Sequence, residues 1–328
     1  MSTVHAVLAW ADCIYIFLCG FILGPRIRDV EPTVPRFCML LLYIKRCGRE
    51  GTGVAAMGER YMFVNRINNE EERTKIQELY RVMTLEQFLG MLLSHTNTLL
   101  HTDCWEDPYE KLIRKSTIEW QEGSYINANT LNWSRWYGQC WSSIKESDGI
   151  WRAFTHNKEV RCVKIKTTRE KLEKCCTTLT DANIDFYLDA VNYVVESQEQ
   201  YNVGLNSWFA HYLNDNKPMT EEEIQRIAEL SLLMTKRIAF EHESEVRLLA
   251  YNKNEASEDV ALSYHVDVFD LIDEIEFDPW VPKHAIGTYM ELMRLLQIKC
   301  EVKFSELYKE VNAEEKGYKF VMRTKKAK

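Results

Sequence analysis

Residues 240–249 read "FEHESEVRLL", and the conformation of this stretch decides what can be built around it. In a strand, side chains alternate between two faces. That alternation predicts Glu243, Glu245 and Arg247 on one face, with His242, Ser244, Val246 and Leu248 on the other. Same-face neighbours stand about 7 Å apart along a strand. Two carboxylates at that spacing repel unless a cation, a ligand or a basic neighbour holds them. The stretch therefore predicts a strand with a charged site on one face.

The segments around it alternate between strand and helix patterns. Strands are predicted over 78–83, 97–102, 137–143, 159–167, 184–195, 241–250, 264–272, 275–280 and 300–308, and helices over 85–95, 148–157, 221–235 and 284–297. Thr84 with Gln87, and Thr220 with Glu223, have the spacing of capping boxes, in which two side chains satisfy backbone N–H groups at a helix start. Ser147 or Asp148 caps the second helix, and Asp107-Pro108 opens a turn or short helix. Strands and helices interleave without a regular repeat. The expected class is α+β, a single mixed twisted sheet with interleaved and flanking helices, preceded by an N-terminal apolar segment.

A chain of 328 residues has room for one large domain or two modest ones. Its net charge of −8 argues against a broad nucleic-acid-binding surface. The ten cysteines include no CxxC pair and no Cys/His ladder at zinc spacing, so no metal ligand is assigned among them. Reduced, mostly buried thiols in a cytoplasmic protein are expected.

Residues 1–56 differ in composition: they hold six Lys/Arg against four Asp/Glu, while the rest holds 35 against 45. Residues 4–24, "VHAVLAWADCIYIFLCGFILG", would span about 31 Å as a helix, against a bilayer core of about 30 Å. Asp12 opposes insertion by roughly 2.5–3.5 kcal/mol, which makes a transmembrane helix marginal. Arg26, Arg28 and Arg36 follow the span, so an inserted helix would leave the main domain in the cytoplasm. The alternative is an over-extended start, with Met57 as the working one. Either way the expectation is a 1–56 segment followed by a 57–328 domain that carries the function.

Short polar blocks within that domain carry a resemblance. In order they are "LYR" (79–81), "WEDPYE" (105–110), "QCWS" (139–142), "GIWRAF" (149–154), "VRCVKIKT" (160–167), "FEHESEVRL" (240–248) and "IDEIEFDP" (272–279). The series resembles the bacterial domain-of-unknown-function family numbered 2971 across roughly residues 77–300. Glu106 stands where members usually have Asn, Ile150 where many have Met, and Phe154 where many have Tyr. Roles that need that amide or that hydroxyl are therefore not carried over. The family name implies no activity.

The order of a strand arginine, a strand serine and a late Glu-x-Glu also resembles the plan of ADP-ribosyltransferases. That resemblance implies NAD as the cofactor and a small molecule or macromolecule as the acceptor. Arg81, beside Tyr80, would hold cofactor phosphate or ribose, and Ser142 would brace the site. Glu245 would stabilise the oxocarbenium-like transition state while Glu243 polarises the acceptor. Trp141 and Trp151 could wall a planar ligand, and Asp107, Glu110 and Arg247 would complete the binding residues.

Two other readings stay open. Asp107, Glu110, Glu243 and Glu245 could hold Mg²⁺ for phosphodiester hydrolysis, with Arg247 or Lys164 steadying a phosphate. A non-enzymatic ligand-sensing or protein-interaction domain is the third. If Glu245 is a strained functional carboxylate, Glu245→Gln should change stability by no more than about 1 kcal/mol.

Overall fold

A computed structural model describes residues 76–310, apart from 122, 178–182, most of 196–219 and 255–258, together with the isolated positions 317 and 321. The chain divides into two units, Met1–Ala56 and Met57–Lys328. The first unit, including the 4–24 span, lies outside the described residues. Among the described residues, no helix is long and apolar enough to cross a membrane.

The described chain is α+β. It begins with β1 (Glu78–Thr84), α1 (Leu85–Ser94) and β2 (Thr96–His101). Both halves of the Thr84/Gln87 capping box form, at 3.1 and 3.2 Å. The short α2 (Pro108–Ile113) follows, then a hairpin of β3 (Thr117–Gln121) and β4 (Ser124–Asn127). Next come β5 (Trp136–Ser142), α3 (Asp148–Phe154), β6 (Cys162–Thr168), α4 (Arg169–Thr177), β7 (Ile184–Ala190) and β8 (Asn192–Val194). The third quarter holds α5 (Glu221–Leu233), capped as expected by Thr220 and Glu223, β9 (Thr235–Arg237), a 3₁₀ segment Ile238–Glu243 and β10 (Glu245–Asn252). The last elements are β11 (Ala261–His265), α6 (Val268–Leu271), β12 (Glu274–Phe277), α7 (Lys283–Leu295) and β13 (Glu301–Phe304).

Nine strands form one mixed sheet in the order β11-β2-β5-β1-β6-β12-β13, with β10 against β5 and β7 against β10. All its pairs are antiparallel except β12 with β13. The one mixed sheet is thus as expected, and two small ribbons, β3-β4 and β8-β9, accompany it.

The elements of the 184–195 and 264–272 segments differ from expectation. The first breaks at Val191 into strands of two different sheets. In the second, Asp267 accepts from the backbone of Phe269 and Asp270 and caps α6, so only Ala261–His265 is strand. The helix predicted to end at 157 stops at Phe154, because His156, Asn157 and Lys158 take positive φ.

β10 is buried on both faces. Val246, Leu248 and Ala250 join the main core with Leu79, Phe88 and Ile165, while Leu249 and Tyr251 pack with Trp136 and with Leu230 and Leu233 of α5. Continuous burial of this kind marks a central strand.

One feature of the topology makes a site. β10 occupies one edge of β5 along its length, so β1 and β2 must share the other edge. On β5, β2 pairs only at Tyr137 and Gly138, and β1 only at Ser142. The sheet therefore forks beside residues 139–141.

Candidate functional site

A cleft with about 60 Å³ accessible to water opens at this fork. It is lined from β1 by Tyr80 and Arg81, from β5 by Cys140, Trp141 and Ser142, from α3 by Gly149 and Trp151, and from the 240s by His242, Glu243 and Glu245. Eight of the residues singled out from the sequence thus meet: Tyr80, Arg81, Trp141, Ser142, Trp151, Lys164, Glu243 and Glu245. Asp107, Glu110 and Arg247 do not line it.

The reading of 240–249 as one strand is corrected. β10 begins at Glu245, and Glu243 ends a 3₁₀ segment. Between them Ser244 sits in the left-handed region at φ 41° and ψ 54°, a costly conformation for a residue with a Cβ. The turn breaks the alternation and lets His242, Glu243 and Glu245 line the same cleft, which a straight strand forbids.

A basic neighbour holds the two carboxylates. Lys236 Nζ donates to Glu243 at 2.5 Å and to Glu245 at 2.7 Å. Burial pulls the Lys236 ammonium down, but Glu245 and Glu243 outweigh it and leave the group more firmly protonated than usual. Glu245 is only 3 % exposed and is also bound by Arg247, through Nε at 2.7 Å and Nη2 at 3.2 Å. Burial alone would raise the Glu245 carboxyl; Arg247 and Lys236 reverse this and bring it down to about 2. Both of its oxygens are engaged. Glu243 is half-buried, and only one of its oxygens has a partner among the described residues.

Arg247 is the buried post of this assembly. Its remaining donors reach Glu110 and the Leu233 carbonyl, and its guanidinium lies 4.2 Å from the Trp105 ring centre. Gly138 permits that stack, since a Cβ there would come within 2.5 Å of Trp105. Asp107 meanwhile accepts from Arg237 at 2.9 Å. Asp107, Glu110 and Arg247 are therefore structural supports, not residues of the cleft wall.

Ser142 is a brace. Its hydroxyl donates to the Glu243 carbonyl at 2.7 Å and accepts from the Ile144 N–H at 3.1 Å, which ties β5 to the turn. Trp151 is 1 % exposed and packs with Val82 and Cys162, its indole N–H on Glu146 at 2.5 Å. Trp141 is likewise core, with its N–H on Gln139 at 2.8 Å. Lys164 is held by Glu276 at 2.8 Å and by the Lys145 carbonyl at 2.5 Å.

Arg81 is the exception. It makes no hydrogen bond and no ion pair among the described residues. Burial brings its guanidinium down to about 10, with small opposing contributions from Cys140 and Tyr264. Its register partner is Ile165, so alternation puts it on the face of the core residues Leu79 and Met83. It nevertheless lines the cleft, which the fork beside β1 makes possible. An arginine left this way in a protein costs free energy unless something pairs with it.

The carboxylates suggested for Mg²⁺ do not form a ligand set: each is held by Lys236, Arg237 or Arg247. Among the described residues, no group of three His, Cys, Asp or Glu could hold a metal. Of the six described cysteines, Cys104 and Cys140 are exposed and only Cys162 and Cys176 are fully buried, fewer than expected.

His242, Lys236 and Gly149 were not legible as site residues. A strand reading turns His242 to the wrong face, and Lys236 lies outside the blocks.

No family model matches the chain, and no curated protein matches it. Among solved structures it is similar to the DarT of Thermus sp. 2.9 in complex with NAD+, at 8 % identity and a TM-score of 0.31, over 70 % of this chain and 96 % of that one. A likeness at that level carries no argument about chemistry.

Proposed function

We propose that the cleft binds NAD and that the protein is an ADP-ribosyltransferase-like enzyme, a divergent member of the family its sequence blocks resemble. The observation that supports this is Arg81, without a hydrogen-bond or ion-pair partner among the described residues, in one cleft with two carboxylates mounted on Lys236. NAD carries matching groups: a pyrophosphate, ribose hydroxyls and a cationic nicotinamide ring. Arg81 supplies N–H donors suited to phosphate oxygens.

The two glutamates divide the work differently from the sequence expectation. Glu243 has the open oxygen, so it is the carboxylate that meets a ribose hydroxyl and the positive charge growing on C1′. Glu245, engaged on both oxygens, fixes Lys236 and through it Glu243. In the step, the bond from C1′ to the nicotinamide nitrogen breaks and its electron pair leaves with nicotinamide. The acceptor bonds to C1′ and gives up its proton.

The test is nicotinamide release from NAD by the full chain. The wild type should release it, and Glu243→Gln should be slower by about a hundredfold or more with an unchanged melting point. A wild type that leaves NAD intact over long incubation contradicts the proposal.

A further inference from the structure

His242 lines the cleft beside Glu243 and is exposed at its rim. Neither ring nitrogen has a hydrogen-bond or ion-pair partner among the described residues. The ring rests against α3 at Gly149, where an added Cβ would stand 3.2 Å from Cδ2 and 3.5 Å from Nε2. A side chain larger than glycine at 149 would crowd the imidazole.

We propose that His242 is the proton acceptor of the transfer step, and that the acceptor substrate is a proton-bearing nucleophile, a hydroxyl, an amide or amine nitrogen, or water. A carboxylate or phosphate acceptor would need no base. The inference rests on the NAD reading above.

The other groups around the cleft are poor candidates. Glu243 and Glu245 both hold the Lys236 ammonium, and Glu245, brought down to about 2, is a weak base. Arg81, Lys145 and Lys164 are cations, and the Tyr80 hydroxyl donates to Glu78 at 2.6 Å. Although the Cys140 residue is exposed, its thiol lies against the buried Glu245 carboxylate; desolvation there and Glu245 itself raise it, so it keeps its proton.

The charged groups on the elements packed against the 3₁₀ segment are also engaged. On α3, Asp148 and Arg152 pair with each other at 2.9 Å. On β9, Lys236 binds the two glutamates and Arg237 binds Asp107. Tyr193 on β8 accepts from the Glu245 N–H at 2.7 Å. Glu241, on the segment itself, and His242 remain, and imidazole is the side chain suited to exchange protons near neutrality.

In the step, the acceptor's heavy atom bonds to C1′ as the C1′–N bond breaks. Nicotinamide leaves with the electron pair of that bond. The acceptor's proton passes to a ring nitrogen of His242 and then to solvent.

The experiment measures NAD hydrolysis, with water as acceptor, by the full chain and by His242→Gln and His242→Ala. Both variants should lose about a hundredfold in rate and keep NAD affinity within about twofold. Azide carries no proton, so with azide as acceptor the difference between wild type and variants should vanish. Added imidazole should restore His242→Ala.

Variants that hydrolyse NAD like the wild type, or a defect that persists with azide, overturn the role of His242 and leave the NAD reading standing. A wild type that consumes no NAD with either acceptor overturns both.

Discussion

Arg247 clasps Glu245 with two donors, Nε at 2.7 Å and Nη2 at 3.2 Å, and the two residues are 1 % and 3 % exposed. A pair this deeply buried holds position and is costly to break from one side. Glu245→Gln would leave Arg247 with Glu110 as its one anionic partner. The expected loss is about 3–5 kcal/mol, read from urea unfolding of the 57–328 domain within the full chain. This replaces the expectation of a near-neutral change drawn from the sequence, because the carboxylate is a buried anchor and not a strained, open one.

The same pair sets an acid dependence. The Glu245 carboxyl falls from an ordinary 4.5 to about 2 in the folded protein. A lowered folded-state value stabilises the fold above the unfolded value, and that stability is lost as pH falls through the folded one. The stability gap between wild type and Glu245→Gln should therefore be full above pH 4.5 and close as pH falls to about 2. Urea melts at stepped pH would show this, and a gap that widens in acid would count against the assignment.

Much of the fold was legible in particular residues. Thr84 with Gln87 and Thr220 with Glu223 carry short-range capping chemistry that survives any tertiary context, and both helices start where those pairs place them. The site was legible as a set of residue types, since Arg81, Ser142, Glu243 and Glu245 do meet. What the chain concealed was long-range. Ser244 breaks the alternation in a left-handed turn that no glycine announces. Arg81 gains access to the cleft because β1 and β2 share one edge of β5, a pairing across distant segments. Lys236 reads as an ordinary helix-end lysine until the fold sets it between two glutamates.

Gly138 supports the mount from below. A Cβ there would stand 2.5 Å from Trp105 and 3.1 Å from Leu249. Gly138→Ala should therefore push the indole off Arg247 and cost about 1–3 kcal/mol through overpacking. Urea midpoints check this, and the loss should shrink when Trp105 is also reduced to Leu.

Arg81 should behave in the opposite way. It forms no ion pair among the described residues, and burial disfavours its charge. Arg81→Gln should leave the melting point unchanged or raise it, as at sites where function opposes stability. A fall of several degrees would mean that Arg81 holds the fold together.

Calorimetric titration of NAD into the full chain and into Arg81→Gln shows whether the cleft takes NAD and whether Arg81 holds it. The wild type should bind NAD saturably and one to one, and the variant at least about tenfold more weakly through loss of a charge-assisted contact. Equal NAD affinity in the two proteins, or no binding by the wild type, would contradict this.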